Sequence, residues 1–292
     1  MSIVLPILDA DPAIDPSQVV SSEARWRPRL QRLRRVFAEE KPWIVAFSGG
    51  IDSTLVLKVA LEERGEQVLA LTAVSPTLPE DERQECIELA REIGARHLLV
   101  DSHEMDRVDF ISNPSNRCYF CKDELYSLAR QHATRLGVHH IADGVNTDDL
   151  GDHRPGLIAA VEHSVVHPLV VAEMNKADVR GAAQALGLST WDKPAFACLS
   201  SRFPYGTEIT EPRLLQVGAV EARLKSLGFR QYRVRFHDEI CRIELPAQEL
   251  IQLIGEPIRS EVIQCCKDVG FRYVTLDLEG YRSGSLNEGL DP

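Results

Sequence analysis

The chain has 292 residues, of which 44% are hydrophobic, and a formal net charge of −11 at pH 7. This length predicts two domains. The negative charge disfavours nonspecific binding to nucleic acid or to an anionic membrane and favours a small-molecule substrate. No apolar stretch reaches the ~20 residues that span a bilayer. The amino terminus lacks a basic region before an apolar run and the seven cysteines are an odd number, so we expect a cytoplasmic protein with reduced thiols.

Strands and helices alternate through the chain as far as residue 204. Residues 1–20 are predicted to form a poorly ordered arm. Apolar runs predict strands at 43–47, 68–74, 97–100 and 140–142. Periodicity and helix-start signals predict helices at 22–40, 79–93, 123–136 and 176–186, with another directly after the first strand. The alternation predicts an α/β domain over residues 21–204, a doubly wound parallel sheet that binds ligands at the carboxyl ends of its strands.

The pattern changes near Tyr205, which predicts a second, smaller α+β domain over residues 205–292. The predicted elements are a helix at 212–227, a hairpin at 231–245, short helices at 246–254 and 257–269, and a strand at 271–278. In the hairpin Arg233 and Arg235 alternate with apolar neighbours, so both guanidiniums project from one face, which Arg242 can join. Such a face is either a solvated sheet surface or a site for a phosphate or carboxylate.

The stretch WIVAFSGGIDSTLVL, residues 43–57, predicts a strand, a tight loop and a helix. Gly49 and Gly50 leave room for an anion, and the following helix offers unpaired N–H groups and the positive end of its dipole. The loop lacks the lysine of GxxxxGK[ST] and the spacing of GxGxxG, and Ser48 and Ser53 take the place of that lysine. SGGIDS resembles the PP-loop of the ATP pyrophosphatases, which cleave ATP between the α and β phosphates. The resemblance implies that these four residues and Asp52 bind ATP.

Polar residues also follow the strand at 140–142. In DGVNTDD, residues 143–149, Gly144 and Asn146 are candidates to contact ATP. Asp148 is a candidate Mg²⁺ ligand, because Mg²⁺ prefers a few carboxylate oxygens together with water and phosphate. A turn capped by Asn and Asp side chains is the other interpretation. Lys176, which opens a helix, is either a phosphate ligand or a surface lysine.

The cysteines fall into two groups. Four share the spacing of apolar positions or lie in a helical segment and are predicted to be structural: Cys86, Cys241, Cys265 and Cys266. The other three are candidates for chemistry. Cys118 and Cys121 form CYFCK in a polar stretch, and Cys198 lies in FACLSSRFPYG before the predicted domain junction. This set is compatible with a redox pair, a zinc site short of one ligand, or a three-thiolate iron–sulfur cluster with one open iron.

Taken in order, SGGIDS, CYFCK, DGVNTDD, KPAFACLSSRFPYG and YRVRFHDEICRIEL resemble the LarE family, PP-loop sulfur transferases that help to build the nickel-pincer nucleotide cofactor. The resemblance covers nearly the whole chain after the arm. It implies adenylylation of a carboxylate of pyridinium-3,5-biscarboxylic acid mononucleotide with release of pyrophosphate. Sulfur transfer then gives a thiocarboxylate and releases AMP. It also implies a homo-oligomer.

The resemblance implies roles for residues of the second half of the chain. Cys198 matches the sulfur-bearing cysteine of the family, and Glu221 resembles a functional acid, with a solvent-facing helix position as the alternative. Arg202 suits a carboxylate or AMP, while Arg233 and Arg235 suit the substrate phosphate.

Two sulfur routes follow from the family. In one branch the cysteine gives up its own sulfur and becomes dehydroalanine. This chain also carries Cys118 and Cys121, which resembles the branch in which three cysteines hold a [4Fe-4S] cluster whose fourth iron is open to sulfide. The cluster requires the loop after the third strand to fold over the glycine loop toward the domain junction.

Two other enzyme classes share the glycine loop. A tRNA thiolase normally needs a basic RNA-binding surface, which an acidic chain without an evident RNA-binding domain does not offer. An ammonia-dependent synthetase gives ACLSSR no role, and no glutaminase domain is present. The sequence therefore favours a sulfur transferase acting on a small molecule.

Overall fold

The structure is a computed structural model and describes residues 16–39, 41–151, 155–194, 197–282 and 284–287. The helices are α1 (Pro16–Val36), α2 (Ile51–Arg64), α3 (Glu80–Glu92), α4 (Val108–Ile111), α5 (Arg117–Leu136), α6 (Gly156–Glu162), α7 (Pro168–Val171), α8 (Lys176–Ala185), α9 (Glu211–Ser226), α10 (Leu250–Ile254) and α11 (Ile258–Asp268). Short 3-10 turns lie at Gly65–Gln67, Glu104–Asp106, Thr147–Gly151, Leu199–Arg202, Ala247–Glu249 and Ser285–Asn287. None of the helices within these ranges combines the length and the apolar character needed to cross a bilayer.

Four parallel strands form the first sheet. They are β1 (Trp43–Ala46), β2 (Val68–Val74), β3 (Arg96–Asp101) and β4 (His140–Ala142), in the order β3-β2-β1-β4. A parallel bridge between Ala142 and Val166 extends the sheet beyond β4. The predicted strand positions and the parallel α/β sheet are confirmed.

Alternate residues of β1 enter two different cores. Trp43 and Val45 belong to a cluster with side chains of α1, α2 and α8. Ile44 and Ala46 belong to a cluster with side chains of α5 and α6. Because successive side chains of a strand point to opposite faces, helices cover the sheet on both sides, as the doubly wound prediction requires.

Helix α1 begins earlier than predicted. It starts at Pro16 rather than Ser22, so residues 16–20, predicted as part of the arm, are helical, while residues 1–15 of the arm lie outside the described range. Proline suits the first turn of a helix, where its missing N–H is not needed. The buried carboxylate of Asp178 on α8 accepts hydrogen bonds from Arg25, at 3.0 Å, and from Arg29. These pairs attach α1 to the sheet domain.

Helix α5 also begins earlier than predicted, and this difference affects the site. It starts at Arg117 instead of Asp123, so Cys118 and Cys121 lie in its first turns and not in a loop. The buried positions of α5 are Arg117, Tyr126, Ala129 and Ala133. Apolar periodicity does not predict the first turn, because the buried residue there is Arg117 and arginine is normally exposed. Its guanidinium donates hydrogen bonds to protein oxygens in place of water.

The second sheet has three strands in the order β5-β6-β7: β5 (Arg233–His237), β6 (Ile240–Glu244) and β7 (Tyr273–Leu276). β6 pairs antiparallel with β5 and parallel with β7. The predicted hairpin and the smaller α+β unit are confirmed. The core of this unit contains not only side chains of α9, α11 and the strands but also Phe110, Leu199 and Phe203, which precede the predicted boundary at residue 205.

Candidate active site

The glycine loop closes on the first turn of α2. The hydroxyl oxygens of Ser48 and Ser53 lie 3.2 Å apart, and the Ser48 N–H donates to the Ser53 hydroxyl at 3.2 Å. The Ser53 hydroxyl in turn donates to the Gly50 carbonyl at 3.1 Å. Gly49 has φ of +66°, and a Cβ there would lie 2.7 Å from Cys86 Sγ. Position 49 therefore requires glycine for both its backbone conformation and its contact with α3.

The end of β4 meets the start of α2 at Gly144. A Cβ on Gly144 would lie 2.7 Å from the Ser53 backbone nitrogen and 3.1 Å from the Asp52 carbonyl carbon. Only glycine permits this approach, which brings DGVNTDD against the helix end that the sequence predicts to bind phosphate. The two motifs thus lie at one edge of the sheet, as expected for the carboxyl ends of parallel strands.

Asp52 accepts hydrogen bonds from two of the predicted ATP-binding side chains. Its Oδ1 accepts a hydrogen bond from Asn146 Nδ2 at 3.2 Å, and its Oδ2 accepts one from the ammonium of Lys176. The side chains of Lys176 and Asp52 are 32% and 20% exposed, so a ligand can reach them. Lys176 therefore lies beside Asp52 of the glycine loop rather than on an unrelated surface.

Asp148 lies beside the same group. Its Oδ2 accepts the Lys176 backbone N–H at 3.0 Å, and its own N–H donates to the Asn146 side-chain oxygen at 2.9 Å. The residue is exposed. A carboxylate that keeps an oxygen toward solvent suits Mg²⁺, which binds through one or two carboxylates and retains water.

The CYFCK cysteines lie close to Cys198. Cys118 is exposed, and Cys121 and Cys198 are half-buried. Burial raises the pKa of the Cys121 thiol, and the neighbouring Cys198, Glu104 and Cys118 raise it further. The Cys121 thiol therefore stays protonated at neutral pH unless a cation stabilises its thiolate.

Three buried arginines hold the backbone around Cys198. Arg202 donates to the carbonyls of Ala197 and Cys198 at 3.0 and 3.3 Å. Arg117 donates to the Ser200 carbonyl at 2.9 Å, and Arg235 to the Ser201 carbonyl at 2.8 Å. The segment that carries Cys198 is thus fixed by guanidinium groups from three separate parts of the chain.

The three thiols form a donor set that suits either zinc or an iron–sulfur cluster. Their sulfur atoms do not all lie within 4.8 Å of one another; among the described residues, the group of potential ligands that meets this limit is Asp81, Glu82 and Glu85. In a tetrahedral zinc site, Zn–S bonds of ~2.3 Å place the sulfurs ~3.8 Å apart. The three sulfurs are therefore spaced more widely than in a formed zinc site.

Arg202 and Glu221 form a buried ion pair. Arg202 Nε and Nη2 donate to the two Glu221 oxygens at 2.7 and 2.8 Å. Burial lowers the pKa of Arg202, but the attraction of Glu221 outweighs burial and the net shift is upward. Glu221 is 4% exposed, so it is not a solvent-facing helix residue. Arg202, predicted to contact a carboxylate or AMP, and Glu221, predicted to be a functional acid, are therefore paired with each other.

The predicted cationic face of the hairpin is largely buried. Arg235 forms two hydrogen bonds to Glu244, of 2.9 and 2.8 Å, and Arg242 bonds the same carboxylate at 3.0 Å. Arg233 packs over the ring of Tyr281, 5.2 Å from its centroid, and donates to the Tyr232 carbonyl at 2.7 Å. Burial and the nearby Arg202 lower the pKa of Arg233. The face is therefore a network of arginines and carboxylates, not a row of solvated cations.

A cleft of about 510 Å³ separates α3 from the second unit. Arg233 is the predicted site residue that lines it, together with Lys193, Lys225 and acidic side chains of α3. Lys193 pairs with Glu82 and Glu85 at 3.0 and 2.8 Å. The residues of the glycine loop are not among those that line this cleft.

Sequence reasoning missed Arg117 and Asn113. Asn113 is fully buried with φ of +54°, and its side-chain nitrogen donates to the carbonyls of Phe203 and Pro204 at 3.3 and 2.7 Å. Its oxygen accepts a hydrogen bond from Arg117. The only sequence signal is their place beside the CYFCK motif, since polar residues in a polar stretch are normally exposed.

The structural cysteines behave as predicted. Cys86, Cys241 and Cys266 are buried. Burial raises the pKa of Cys86 to about 11, which leaves its thiol uncharged and unreactive at neutral pH. Cys265 is half-buried on α11.

Comparison with models of known protein families finds no match. Three curated proteins are similar to the chain. An uncharacterized protein of Synechocystis sp. is 47% identical over 262 residues, which cover 90% of this chain and 98% of that protein. Pyridinium-3,5-bisthiocarboxylic acid mononucleotide synthase of Lactiplantibacillus plantarum is 43% identical over 249 residues, 84% of this chain and 89% of that protein. An uncharacterized protein of Methanocaldococcus jannaschii is 30% identical over 245 residues, 84% and 92% of the two chains.

The parallel sheet, with its glycine loop at the carboxyl end of β1 and polar groups gathered at the start of α2, is consistent with an α/β protein of the PP-loop type. The similarity to the curated synthase identifies the family within this class. The chain belongs to the LarE family, that of pyridinium-3,5-bisthiocarboxylic acid mononucleotide synthase, and is an enzyme of that family. The resemblance that the sequence motifs predict is confirmed.

Proposed function

We propose that the protein uses ATP to adenylylate a carboxylate of pyridinium-3,5-biscarboxylic acid mononucleotide and converts it to a thiocarboxylate. The observation that carries this proposal is that Asn146 and Lys176 both bond Asp52 of the SGGIDS loop, in a chain that shares 43% identity with a synthase of the bisthiocarboxylic acid mononucleotide. A carboxylate is a poor acyl donor because its oxygen leaves badly. ATP overcomes this by converting that oxygen into part of AMP.

In the first step, a carboxylate oxygen of the substrate attacks the α-phosphorus of ATP, and the bond to the β-phosphate oxygen breaks. The free N–H groups at the start of α2 and the hydroxyls of Ser48 and Ser53 suit the phosphates. Lys176 suits the charge that develops on the departing pyrophosphate, and Asp148 suits a Mg²⁺ ion bound to it. The products are an acyl adenylate and pyrophosphate.

In the second step, a sulfur nucleophile attacks the acyl carbon and AMP leaves with the bonding electrons. Cys118, Cys121 and Cys198 would hold a [4Fe-4S] cluster, which when bound supplies an iron able to coordinate sulfide as the sulfur source. Cys118 and Cys198 both lie close enough to Cys121 to raise the pKa of its thiol, which supports this assignment. Sacrifice of the Cys198 sulfur gives no role to the other two, so we favour the cluster.

Arg233 suits the substrate phosphate because it lines the cleft at the junction. Arg202, Arg235 and Glu221 support the reaction by holding the Cys198 segment. We assign the reaction to the cytoplasm, where thiols stay reduced. A homo-oligomer remains a prediction of the family resemblance.

The deciding experiment incubates anaerobically purified protein with ATP, Mg²⁺, sulfide and the pyridinium substrate. We expect AMP and pyrophosphate in equal amounts, a thiocarboxylate product, and protein that contains iron and sulfide and keeps an unchanged mass at Cys198. Release of ADP and phosphate would exclude the PP-loop chemistry. A colourless protein that loses one H₂S from Cys198 per turnover would replace the cluster by the sacrificial route.

A further inference from the structure

Two segments that are distant in sequence meet at Arg117. The first is the start of α5, which carries Cys118 and Cys121, and the second is the turn that follows Cys198. Arg117 Nη1 donates to the Asn113 side-chain oxygen and to the Ser200 carbonyl, the latter at 2.9 Å. Arg117 is 3% exposed, and the Ser200 residue is fully buried. One guanidinium therefore connects the two thiol-bearing segments across 83 residues of sequence.

Asn113 completes the connection from the other side of the same turn. Its side-chain nitrogen holds the carbonyls of Phe203 and Pro204, and its own carbonyl accepts the Gly206 N–H at 2.8 Å. Its φ of +54° is a conformation that Asn adopts more readily than most residues. Residues 200–206 are thus held against residues 113–117 by backbone and side-chain bonds together.

The remaining side of the Cys198 segment rests on the loop after β2. The Leu199 N–H donates to the Thr77 carbonyl at 3.1 Å, and the Thr77 hydroxyl donates to the buried Glu104 carboxylate at 3.1 Å. This contact fixes Cys198 relative to the sheet. It does not reach the start of α5, which contacts the Cys198 turn through the hydrogen bond from Arg117 and through Phe120 and Cys121, packed against the cluster that contains Leu199 and Phe203.

We propose that Arg117, supported by Asn113, is the positioning residue that sets the distance between the CYFCK thiols and Cys198, in the three-thiolate site of the proposed function. Cys118 directly follows Arg117, and Cys198 lies two residues before Ser200. A shift at the Arg117 to Ser200 contact is therefore transmitted through one residue to Cys118, through two residues to Cys198 and along one turn of α5 to Cys121. Arginine suits this role because one planar group donates to an amide oxygen and a carbonyl at once.

The test compares Arg117→Met and Arg117→Lys with Arg130→Met. Arg130 is a matched control, because it lies on α5 and also donates to backbone carbonyls, those of His139, His163 and Ser164 at 2.9 Å. It lies about 20 Å further along the helix axis. Each protein is reconstituted anaerobically with iron and sulfide and then challenged with an iron chelator. Visible absorbance and bound iron are measured, with ATP binding as the check on folding.

We expect Arg117→Met to lower cluster affinity by about 10-fold or more, as loss of a group that orients metal ligands does. Arg117→Lys retains a charge and one contact and should lie between the wild type and Arg117→Met. Arg130→Met should match the wild type. Equal iron retention in Arg117→Met and the wild type would overturn the positioning role. Should Arg117→Met fail to bind ATP, the Arg117→Lys variant decides the matter by the same comparison.

A second readout does not depend on iron. In the metal-free protein, a short bifunctional thiol reagent should join the CYFCK peptide, through its exposed thiol at Cys118, to the peptide of Cys198. We expect the yield to fall several-fold in Arg117→Met and Arg117→Lys but not in Arg130→Met. If the wild type binds no iron and the cross-linking yield still falls in the Arg117 variants, the proposed cluster is excluded and Arg117 remains the positioning residue. Unchanged cross-linking in both Arg117 variants would reject the positioning role itself.

Discussion

Arg202 and Glu221 form two parallel hydrogen bonds, of 2.7 and 2.8 Å, inside the junction between the Cys198 segment and the smaller unit. Arg202 is fully buried. Glu221 also accepts the Val234 N–H at 2.9 Å, so one carboxylate joins α9, β5 and the turn after Cys198. The charges of Arg202 and Glu221 suggest contact with a ligand, but in the structure these two residues connect the elements that surround Cys198.

We therefore expect Glu221→Ala to lower the free energy of unfolding by about 3 to 5 kcal/mol, because it leaves a buried guanidinium without its carboxylate. Urea unfolding of the full chain measures this loss. Glu261→Ala is the control, since Glu261 pairs with Arg223 near the surface, where both side chains are about 40% exposed, and should cost about 0 to 1 kcal/mol. Equal losses in the two variants would contradict the buried pair.

Lys176 and Asp52 should act in ATP cleavage. We expect Lys176→Met to lower the rate of pyrophosphate release by about 100- to 1,000-fold, the usual effect of removing one donor from a site of developing charge. Asp52→Asn and Ser48→Ala should also abolish most of the release. Lys58→Met, on α2 and paired with Glu62 at 3.2 Å, serves as the control and should change little. Normal release by Lys176→Met would remove Lys176 from the reaction.

Arg233 and Arg235 should differ, although they share one strand face. Arg233→Ala should weaken binding of the pyridinium substrate by about 2 to 5 kcal/mol and leave ATP binding intact, since Arg233 lines the cleft. Arg235→Ala should instead lower the free energy of unfolding, because Arg235 bonds the buried Glu244. Calorimetric binding of both ligands, together with urea unfolding, separates the two effects. Identical profiles for the two variants would contradict the distinction.

Asp143 should make stability depend on pH in the acid range. It accepts hydrogen bonds from Tyr126 and His167, both at 2.7 Å. Burial raises the pKa of Asp143, but the bond from His167, the charge of Lys122 and the bond from Tyr126 outweigh it, so the net shift is downward. Since the folded pKa lies below the unfolded value of about 3.9, the stabilisation is complete above that pH and is lost as pH falls through the folded pKa.

The check is the free energy of unfolding of the wild type and Asp143→Asn between neutral and acid pH. We expect Asp143→Asn to be less stable by about 1 to 3 kcal/mol at pH 7, with the difference narrowing below about pH 4. Asp106→Asn, at a side chain that is 81% exposed, should remain close to the wild type throughout. A difference that stays constant or widens in acid would contradict this account.

Much of the fold follows from local patterns. Buried parallel strands read as short apolar runs, and the observed bounds of β2 and β4 equal the predicted ones. The largest errors fall at the starts of α1 and α5. Helix α5 contains a first turn that no apolar periodicity marks, because Arg117 occupies the buried position there. A buried arginine depends on partners that lie far away in sequence, so local spacing cannot predict it.

The glycine loop, the CYFCK motif and the family can be recognised from the sequence, because each depends on residue types at short spacing. Which partners the charged residues have depends on the tertiary structure. Arg202, Arg233 and Arg235 look alike in the sequence. Arg202 and Arg235 face the buried carboxylates of Glu221 and Glu244, while Arg233 packs over the ring of Tyr281 at the edge of a cleft. A charge taken out of water needs a partner, and long-range packing alone determines where that partner lies.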